Sequence, residues 1–406
     1  MKLIVAQLGA RMHYAVPSIL ARANSLERLY TDIYSPRAFR PVLKMMSRIG
    51  LTSLRRWQGR DSDDIPEEKI VSLNGMGLQY YWRRRQASAC NKASAAYLWA
   101  GRELCRRVIN HGLGNGDGVY TFNSAGLELL RYARSQGAFT VMEQTIAPGV
   151  IEDELLTIEE MDFPQWESAR SKDPHRSSMN EREQMEWEMS DLILCGSEFV
   201  SEGIRASGGP ADRCHVVPYG IRRPAHLPAK NSTHGPLRVL TVGAVGLRKG
   251  TPYVLAAARS LKGKAEFRMV GPLNVSRSVQ ELLRSQVDLF GSVPSSEIQH
   301  HFAWADVFLL PSICEGSAAA CYEALGYGLP VIATPNTGSV VRDGIDGFIV
   351  PIRNPDAITE KLERLHSDRD LLALMSLNAR QRSTDFSLER YGERLLSELG
   401  VFNSAS

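Results

Sequence analysis

No Cys-x-x-C pair and no zinc-like Cys/His spacing occurs among the 406 residues, although Cys90, Cys105, Cys195, Cys214, Cys314 and Cys321 are scattered along the chain. Scattered cysteines, most of them in apolar runs, exclude a disulfide scaffold and read as reduced core residues of a cytosolic chain. An excess of one charge is also missing. Lys and Arg total 48 against 45 Asp and Glu, a formal net charge of +3, so nucleic acid is not an expected partner. No apolar run approaches the roughly 18–20 residues of a membrane-spanning helix. The opening MKLIVAQLGA has too short an apolar core for a secretory signal and reads as a first buried strand. The expectation is a soluble chain that binds at most to a membrane surface. Short repeats and low-complexity tracts are missing as well. What is present is an ordinary globular balance, 43% hydrophobic and 23% charged, at a length that makes two domains the natural division.

Short apolar runs alternate with helical stretches, the pattern of parallel sheets with crossover helices. In the first half, strands are expected at Lys2–Leu8, Arg28–Tyr34, Lys69–Leu73, Val119–Phe122, Phe139–Glu143, Leu192–Cys195 and Cys214–Val217. Residues 224–236 carry three prolines, a glycine and no apolar periodicity, which marks a linker. The pattern restarts with strands at Leu237–Val242, Glu266–Val270, Val287–Phe290, Val307–Leu310, Val331–Ala333 and Phe348–Val350. The fold class is therefore α/β, with two Rossmann-like doubly wound domains over 1–223 and 237–386. A last helix, within 387–402, is expected to pack back on the first domain. Open α/β sheets bind ligands beyond the carboxyl ends of their strands, which directs attention to 9–13, 123–126, 144–149, 243–250, 291–293 and 311–317.

The strongest chemical signal is PSICEGSAAACYEALGYGLPVIAT, residues 311–334. Glu315 ends a strand-to-helix loop and Glu323 follows with seven residues between them. Gly316, Ser317 and Ala318 are expected to open the helix, where N–H groups bind anions and small side chains let a diphosphate approach. Glu323, lying further along the helix, is placed to accept hydrogen bonds from ribose hydroxyls. The competing reading is an acidic helix start with an Ala-rich packing face, which leaves the second acid unexplained. A second signal, VGAVGLRKG, spans 242–250. There Gly243 and Gly246 permit a tight turn, and Arg248 and Lys249 stand at a helix mouth where cations can clamp a diphosphate. A solvated Arg-Lys pair is the plain alternative.

Together these residues resemble the nucleotide-binding domain of the retaining family-4 glycosyltransferases (glycosyl transferases group 1), which have the two-domain GT-B fold. The ordered set comprises Gly243, Lys249-Gly250, Pro311-Ser312, Glu315, Glu323-Ala324, Gly328-Leu329-Pro330-Val331-Ile332 and Asp343-Gly344 with Gly347. Ser197-Glu198-Phe199 and Val217 to Ile221 match in the first half. The resemblance implies transfer of a sugar, hexosyl in type, from a UDP- or GDP-sugar with retention, without bound metal or cofactor. It assigns catalytic roles to Glu315, Lys249 and Arg248. Gly9, Gly243, Val293, Gly316, Ser317, Ala318 and Glu323 become nucleotide-sugar-binding residues. The sequence departs from the family at Ala244, where many members carry Arg, at Ser317-Ala318 in place of Phe-Gly, and at Glu143-Gln144-Thr145, where a His is common. Whether Arg248 replaces the missing arginine is left open at this level.

The acceptor, a glycan or a lipid-linked glycan, is assigned to the first domain, with His13, Asn123 and Gln144 as candidate contacts. A lone His in such a loop is more often structural. Residues 37–60 hold seven basic residues and no acid, with apolar residues near helical spacing and Trp57 beside them. That segment reads either as a membrane-surface contact or as a core helix with a solvated basic face. The resulting expectation is a cytoplasmic enzyme, peripheral on the inner membrane face, that builds a surface polysaccharide or glycolipid. The alternatives are a non-hydrolysing nucleotide-sugar 2-epimerase and a catalytically silent GT-B binding partner. The acidic stretch 151–170 is read as a solvated helix without a chemical role.

Overall fold

The computed structural model describes residues 1–35, 60–88, 93–167, 173–224 and 235–401. The basic segment 37–60, except Arg60, and most of the linker 224–236 lie outside the described residues. The first sheet contains β1 (Leu3–Gln7), β2 (Leu26–Thr31), β3 (Ile70–Ser72), β4 (Gly118–Phe122), β5 (Phe139–Gln144), β6 (Leu192–Cys195) and β7 (Cys214–Val216). Its order is β3-β2-β1-β4-β5-β6-β7, parallel throughout. The second sheet contains β8 (Leu237–Val242), β9 (Ala265–Val270), β10 (Asp288–Gly291), β11 (Val307–Leu310), β12 (Val331–Ala333) and β13 (Gly347–Ile349). Its order is β10-β9-β8-β11-β12-β13, also parallel.

Helices cover both faces of each sheet, so the strands are nearly continuous apolar runs. Along β1 the side chains still divide by the two-residue period. Leu3 and Val5 join one core with Tyr120 and Val141, whereas Ile4 and Ala6 join the other with Leu104, Leu129 and Trp187. Each sheet reverses direction of growth once, between β1 and β4 and between β8 and β11. The loops after these four strands diverge and leave a crevice at each switch point.

Two helices tie the halves of the chain together. The last helix, Leu388–Glu398, places Tyr391, Leu395 and Leu396 in the first-domain core beside Ile19 and Tyr120. Its entry is fixed by the Ile221 N–H donating to Phe386 O at 2.9 Å. In the opposite sense, the helix Gly149–Asp162 starts on the first domain and ends on the second. Near its start the Gly149 N–H donates to Glu183 at 2.8 Å, and Arg176 pairs with Glu152 and Asp153 at 2.7 Å each. Further along, Leu156 enters the core formed by Leu237, Tyr253 and Phe348, followed by Phe163 and Trp166. Glu159 is fully buried, accepting from Arg353 Nε at 2.6 Å and Tyr253 OH at 2.9 Å.

This corrects the reading of 151–170 as a solvated acidic face. Glu154 and Asp162 are exposed, as are Ile158 and Met161, but Glu152 and Glu159 are buried beside Leu156. Glu159 turns inward because it has a specific cationic and phenolic partner. Tyr80 to Arg85 belong to the helix Asn74–Ser88.

Candidate active site

The turn after β8 is the short 3-10 helix Leu247–Lys249, closed by Gly250 at φ +71°. A Cβ on Gly250 would lie 2.0 Å from Pro311 O, so only glycine lets this turn meet the loop after β11. The contact continues through the Ile313 N–H, which donates to Arg248 O at 2.9 Å. The two switch-point loops are thereby fastened together. Arg248 Nη1 and Lys249 Nζ each stand 2.7 Å from Glu315 Oε1. Gly243 lies along the lysine stem, where an added Cβ would come within 2.9 Å of Lys249 Cε. The three residues singled out as catalytic thus form one cluster of two cations and one carboxylate, with Lys249 and Glu315 buried and Arg248 half-buried.

The helix beyond Glu315 spans Ala319–Gly326 with Ala318 as its N-cap. The expected opening at Gly316 and Ser317 is therefore corrected, because both residues serve the loop. Gly316 bridges Ile146 of the first domain, the Ala147 N–H donates to Glu315 O at 3.3 Å, and Ser197 Oγ donates to Gly316 O. Ser317 Oγ is shared with Tyr322 OH at 2.6 Å and donates to Gly338 O at 3.2 Å, while the Ala318 N–H donates to Thr337 O at 3.3 Å. Glu323 is partly buried, and burial pushes its pKa up.

Two adjoining cavities lie between the domains. One of about 420 Å³ has Arg248, Glu315, Gly316 and Ser317 on one side and Arg11, Phe122, Glu143 and Tyr219 on the other. The second, about 400 Å³, is lined by His13, Ala319, Glu323 and Arg222. Met12 and Tyr219 border both, so the cavities form a continuous cleft.

The first-domain wall is built by the loop after β1. Met12, His13 and Tyr14 occupy the left-handed region in succession, at φ 44°, 53° and 62°. Each non-glycine residue held there costs on the order of 1–2 kcal/mol, and such strain is retained where surrounding contacts impose it. Here the fixed points are Tyr14 OH donating to Ile33 O at 2.9 Å and Arg11 donating to Thr145 Oγ1 and Tyr97 OH at 3.0 and 3.1 Å.

Of the proposed acceptor contacts, only His13 lines this cleft, and it borders the Glu323 cavity. Gln144 is fully buried, with its amide bonded to Glu183 at 2.7 Å, Ile146 O at 3.0 Å and Trp187 Nε1 at 3.0 Å. This places its side chain on the far face of β5. Asn123 accepts from Thr145 Oγ1 at 2.8 Å and donates to Glu183 at 3.2 Å, supporting the loop from behind. Gly9, at φ +81°, donates its N–H to Asp32 Oδ1 at 2.8 Å. Val293 packs its side chain on the second-domain core.

The cleft residues that sequence reasoning missed are Arg11, Glu143 and Tyr219. Glu143 neighbours Gln144 on β5, and the two-residue period sends one to the cleft and the other inward. That parity was the available signal.

Comparisons with known proteins bear on this geometry. Residues 223–382 match the family model described as glycosyl transferases group 1. The second domain is a glycosyl transferases group 1 domain. The amylovoran biosynthesis glycosyltransferase AmsK of Erwinia amylovora is 28% identical over 228 residues, 52% of this chain and 56% of that protein. The chain thus aligns with about half the length of this curated relative. Among solved structures, Anabaena HepE in complex with UDP and glucose superposes at TM-score 0.63 with 13% identity, covering 99% of this chain and 100% of that one. Sucrose-phosphate synthase from Thermosynechococcus elongatus superposes at 0.67 with 16% identity and 98% of each chain. The overall fold is GT-B, with the group 1 domain carrying Arg248, Glu315 and Glu323 on its face of the cleft and Lys249 behind them against Glu315.

Proposed function

We propose that this protein is a retaining glycosyltransferase that moves a sugar from a nucleotide-sugar, a UDP- or GDP-sugar, to a glycan or lipid-linked acceptor in polysaccharide or glycolipid assembly. The observation that carries the proposal is the convergence of Arg248, Lys249 and Glu315 at the second-domain switch point, where Arg248 and Glu315 face a cavity walled by the first domain. A departing nucleoside diphosphate develops negative charge, and two fixed cations at the cleft stabilise it without a divalent metal. Glu315, close to the same cations, holds a hydroxyl of the donor sugar. Glu323, in the adjoining cavity, holds the ribose. AmsK's part in amylovoran biosynthesis and the UDP and glucose bound to HepE support this class of donor and product.

A thermal-shift series with UDP, GDP, ADP and their common sugar conjugates, with and without magnesium, tests the reading. A ligand at 100 times its Kd stabilises by about 2.7 kcal/mol. The expected result is selective stabilisation by one nucleotide, equal with and without the metal. Indifference to all of them would remove the donor assignment.

Membrane contact is part of the proposal. Leu78 and Trp82, four residues apart on the helix Asn74–Ser88, are 44% and 58% exposed, and Arg83, Arg84 and Arg85 follow them. Exposed apolar and cationic side chains on one helix suit an anionic lipid surface. The protein should co-sediment with vesicles containing phosphatidylglycerol and less so with phosphatidylcholine alone; equal recovery from both would contradict surface binding.

A further inference from the structure

The first-domain wall contains an acid that the donor chemistry does not use. Glu143, one residue before the end of β5, is 3% exposed and lines the 420 Å³ cavity opposite Glu315. Its Oε2 accepts from Tyr120 OH at 2.5 Å and its Oε1 from Tyr219 OH at 3.0 Å. A carboxylate offers about four lone-pair sites, so two phenols leave acceptor capacity on the cavity side. Burial raises the Glu143 pKa, opposed by the two phenol hydrogen bonds and by the charge of Arg11. The phenols themselves are pushed well above their ordinary range by burial and by Glu143, so they remain donors. Beside this acceptor stands a donor. Arg11 lines the same cavity, stacks 5.0 Å from the Phe122 ring centroid, and has its guanidinium held by Thr145 Oγ1 and Tyr97 OH.

We propose that Glu143 and Arg11 form the acceptor subsite, in which Glu143 takes the hydrogen bond of the attacking sugar hydroxyl and Arg11 donates to an adjacent oxygen of the same sugar. This assignment rests on the transferase reading and narrows it. A carboxylate and a guanidinium side by side, flanked by Phe122 and Tyr219, match neighbouring oxygens and the apolar face of a pyranose. They do not match a phosphate group, which the Glu143 carboxylate repels. A purely structural carboxylate in this position is costly, because burying an anion without a direct cation contact is unfavourable by several kcal/mol. Glutamine at the same place would keep most of the packing at lower cost. Perturbed, buried acids of this kind concentrate where a substrate needs them.

Glu143 is also positioned to control the pH response. It is surrounded by Tyr120 from β4, Tyr219 beyond β7, Arg11 from the first loop and Tyr391 from the last helix. Because burial raises its pKa, acidification converts it from a strong anionic acceptor to the weaker neutral acid earlier than it would an ordinary glutamate. Transfer should therefore fall on acidification at a pH higher than an ordinary glutamate would give.

The test uses the purified full chain with a panel of UDP-, GDP- and ADP-sugars as donors. Methyl glucosides, galactosides and mannosides at high concentration serve as acceptor probes. Donor binding, nucleotide release in water alone and glycoside product are followed separately. For Glu143→Gln, product formation should drop about tenfold or more, while donor Kd stays within about threefold, and the acidic limb of the profile should vanish. Tyr219→Phe keeps the carboxylate and removes one of its two donors, so its acidic limb should move upward. Product at the wild-type rate in Glu143→Gln would overturn the subsite, as would parallel loss of donor binding and product. A wild-type protein that hydrolyses a donor but responds to none of the glycosides would overturn the sugar acceptor. One that binds no nucleotide would overturn the transferase reading itself, a distinct result.

Discussion

Lys249→Ala and Glu315→Gln should each reduce turnover by about 10²–10³-fold, the loss typical of removing one preorganised charge-stabilising group. The two differ in what remains. Lys249 Nζ and Arg248 Nη1 both reach Glu315 Oε1 at 2.7 Å, so without the lysine the arginine still neutralises the carboxylate. Diphosphate affinity should weaken and kcat should fall, because charge develops on the leaving group in the transition state. In Glu315→Gln both cations lose their anionic partner and become more available to phosphate. Affinity for the free nucleoside diphosphate should therefore be kept or strengthened, although transfer collapses. Isothermal titration with the selected nucleotide, alongside initial rates, separates these outcomes. Wild-type turnover in both variants would remove this cluster from the chemistry.

The second large effect is expected from a single methyl group. Gly316 follows Glu315 at the seam between the domains, and a Cβ there would lie 2.1 Å from Thr145 O and 2.7 Å from Ile146 Cα. Both are backbone atoms, so neither can rotate out of the way. Gly316→Ala must either part the Ile146–Gly316 bridge or displace Glu315. A misplacement of about 1 Å at a reacting centre costs on the order of 10²-fold. Thermal stability should fall by only about 1–3 kcal/mol, the usual cost of overpacking, since the seam is a small part of the buried surface. Activity near wild type with lowered stability would show that the seam does not position Glu315.

Much of the architecture was legible because each strand is a short apolar run bounded by polar or turn residues. Thirteen strands are expected and thirteen observed among the described residues. Lys249, Glu315 and Glu323 were legible for a different reason, namely their fixed spacing relative to glycine turns. The first-domain wall was not. Arg11 gains meaning only when Thr145 and Tyr97, over eighty residues distant, fix its guanidinium. Gln144 was the residue of this segment named as an acceptor contact, but strand parity turned it toward Trp187. The helix Gly149–Asp162 misled for the complementary reason, since a buried Glu159 depends on Arg353, a partner 194 residues away.

The placement of the last helix has a consequence for synthesis. Ile19, Tyr120, Val217 and Tyr219 belong to one face of the first sheet, and Tyr391, Leu395 and Leu399 complete the cluster around them. During translation the second domain has every strand and its Leu156 contact in hand before residues 388–401 emerge. The first domain does not, although its strands are made earlier. The order of completion is therefore the reverse of the order of manufacture. For the time needed to add the second domain, a nascent chain carries an apolar groove open to solvent, where a chaperone binds or a neighbouring chain adheres.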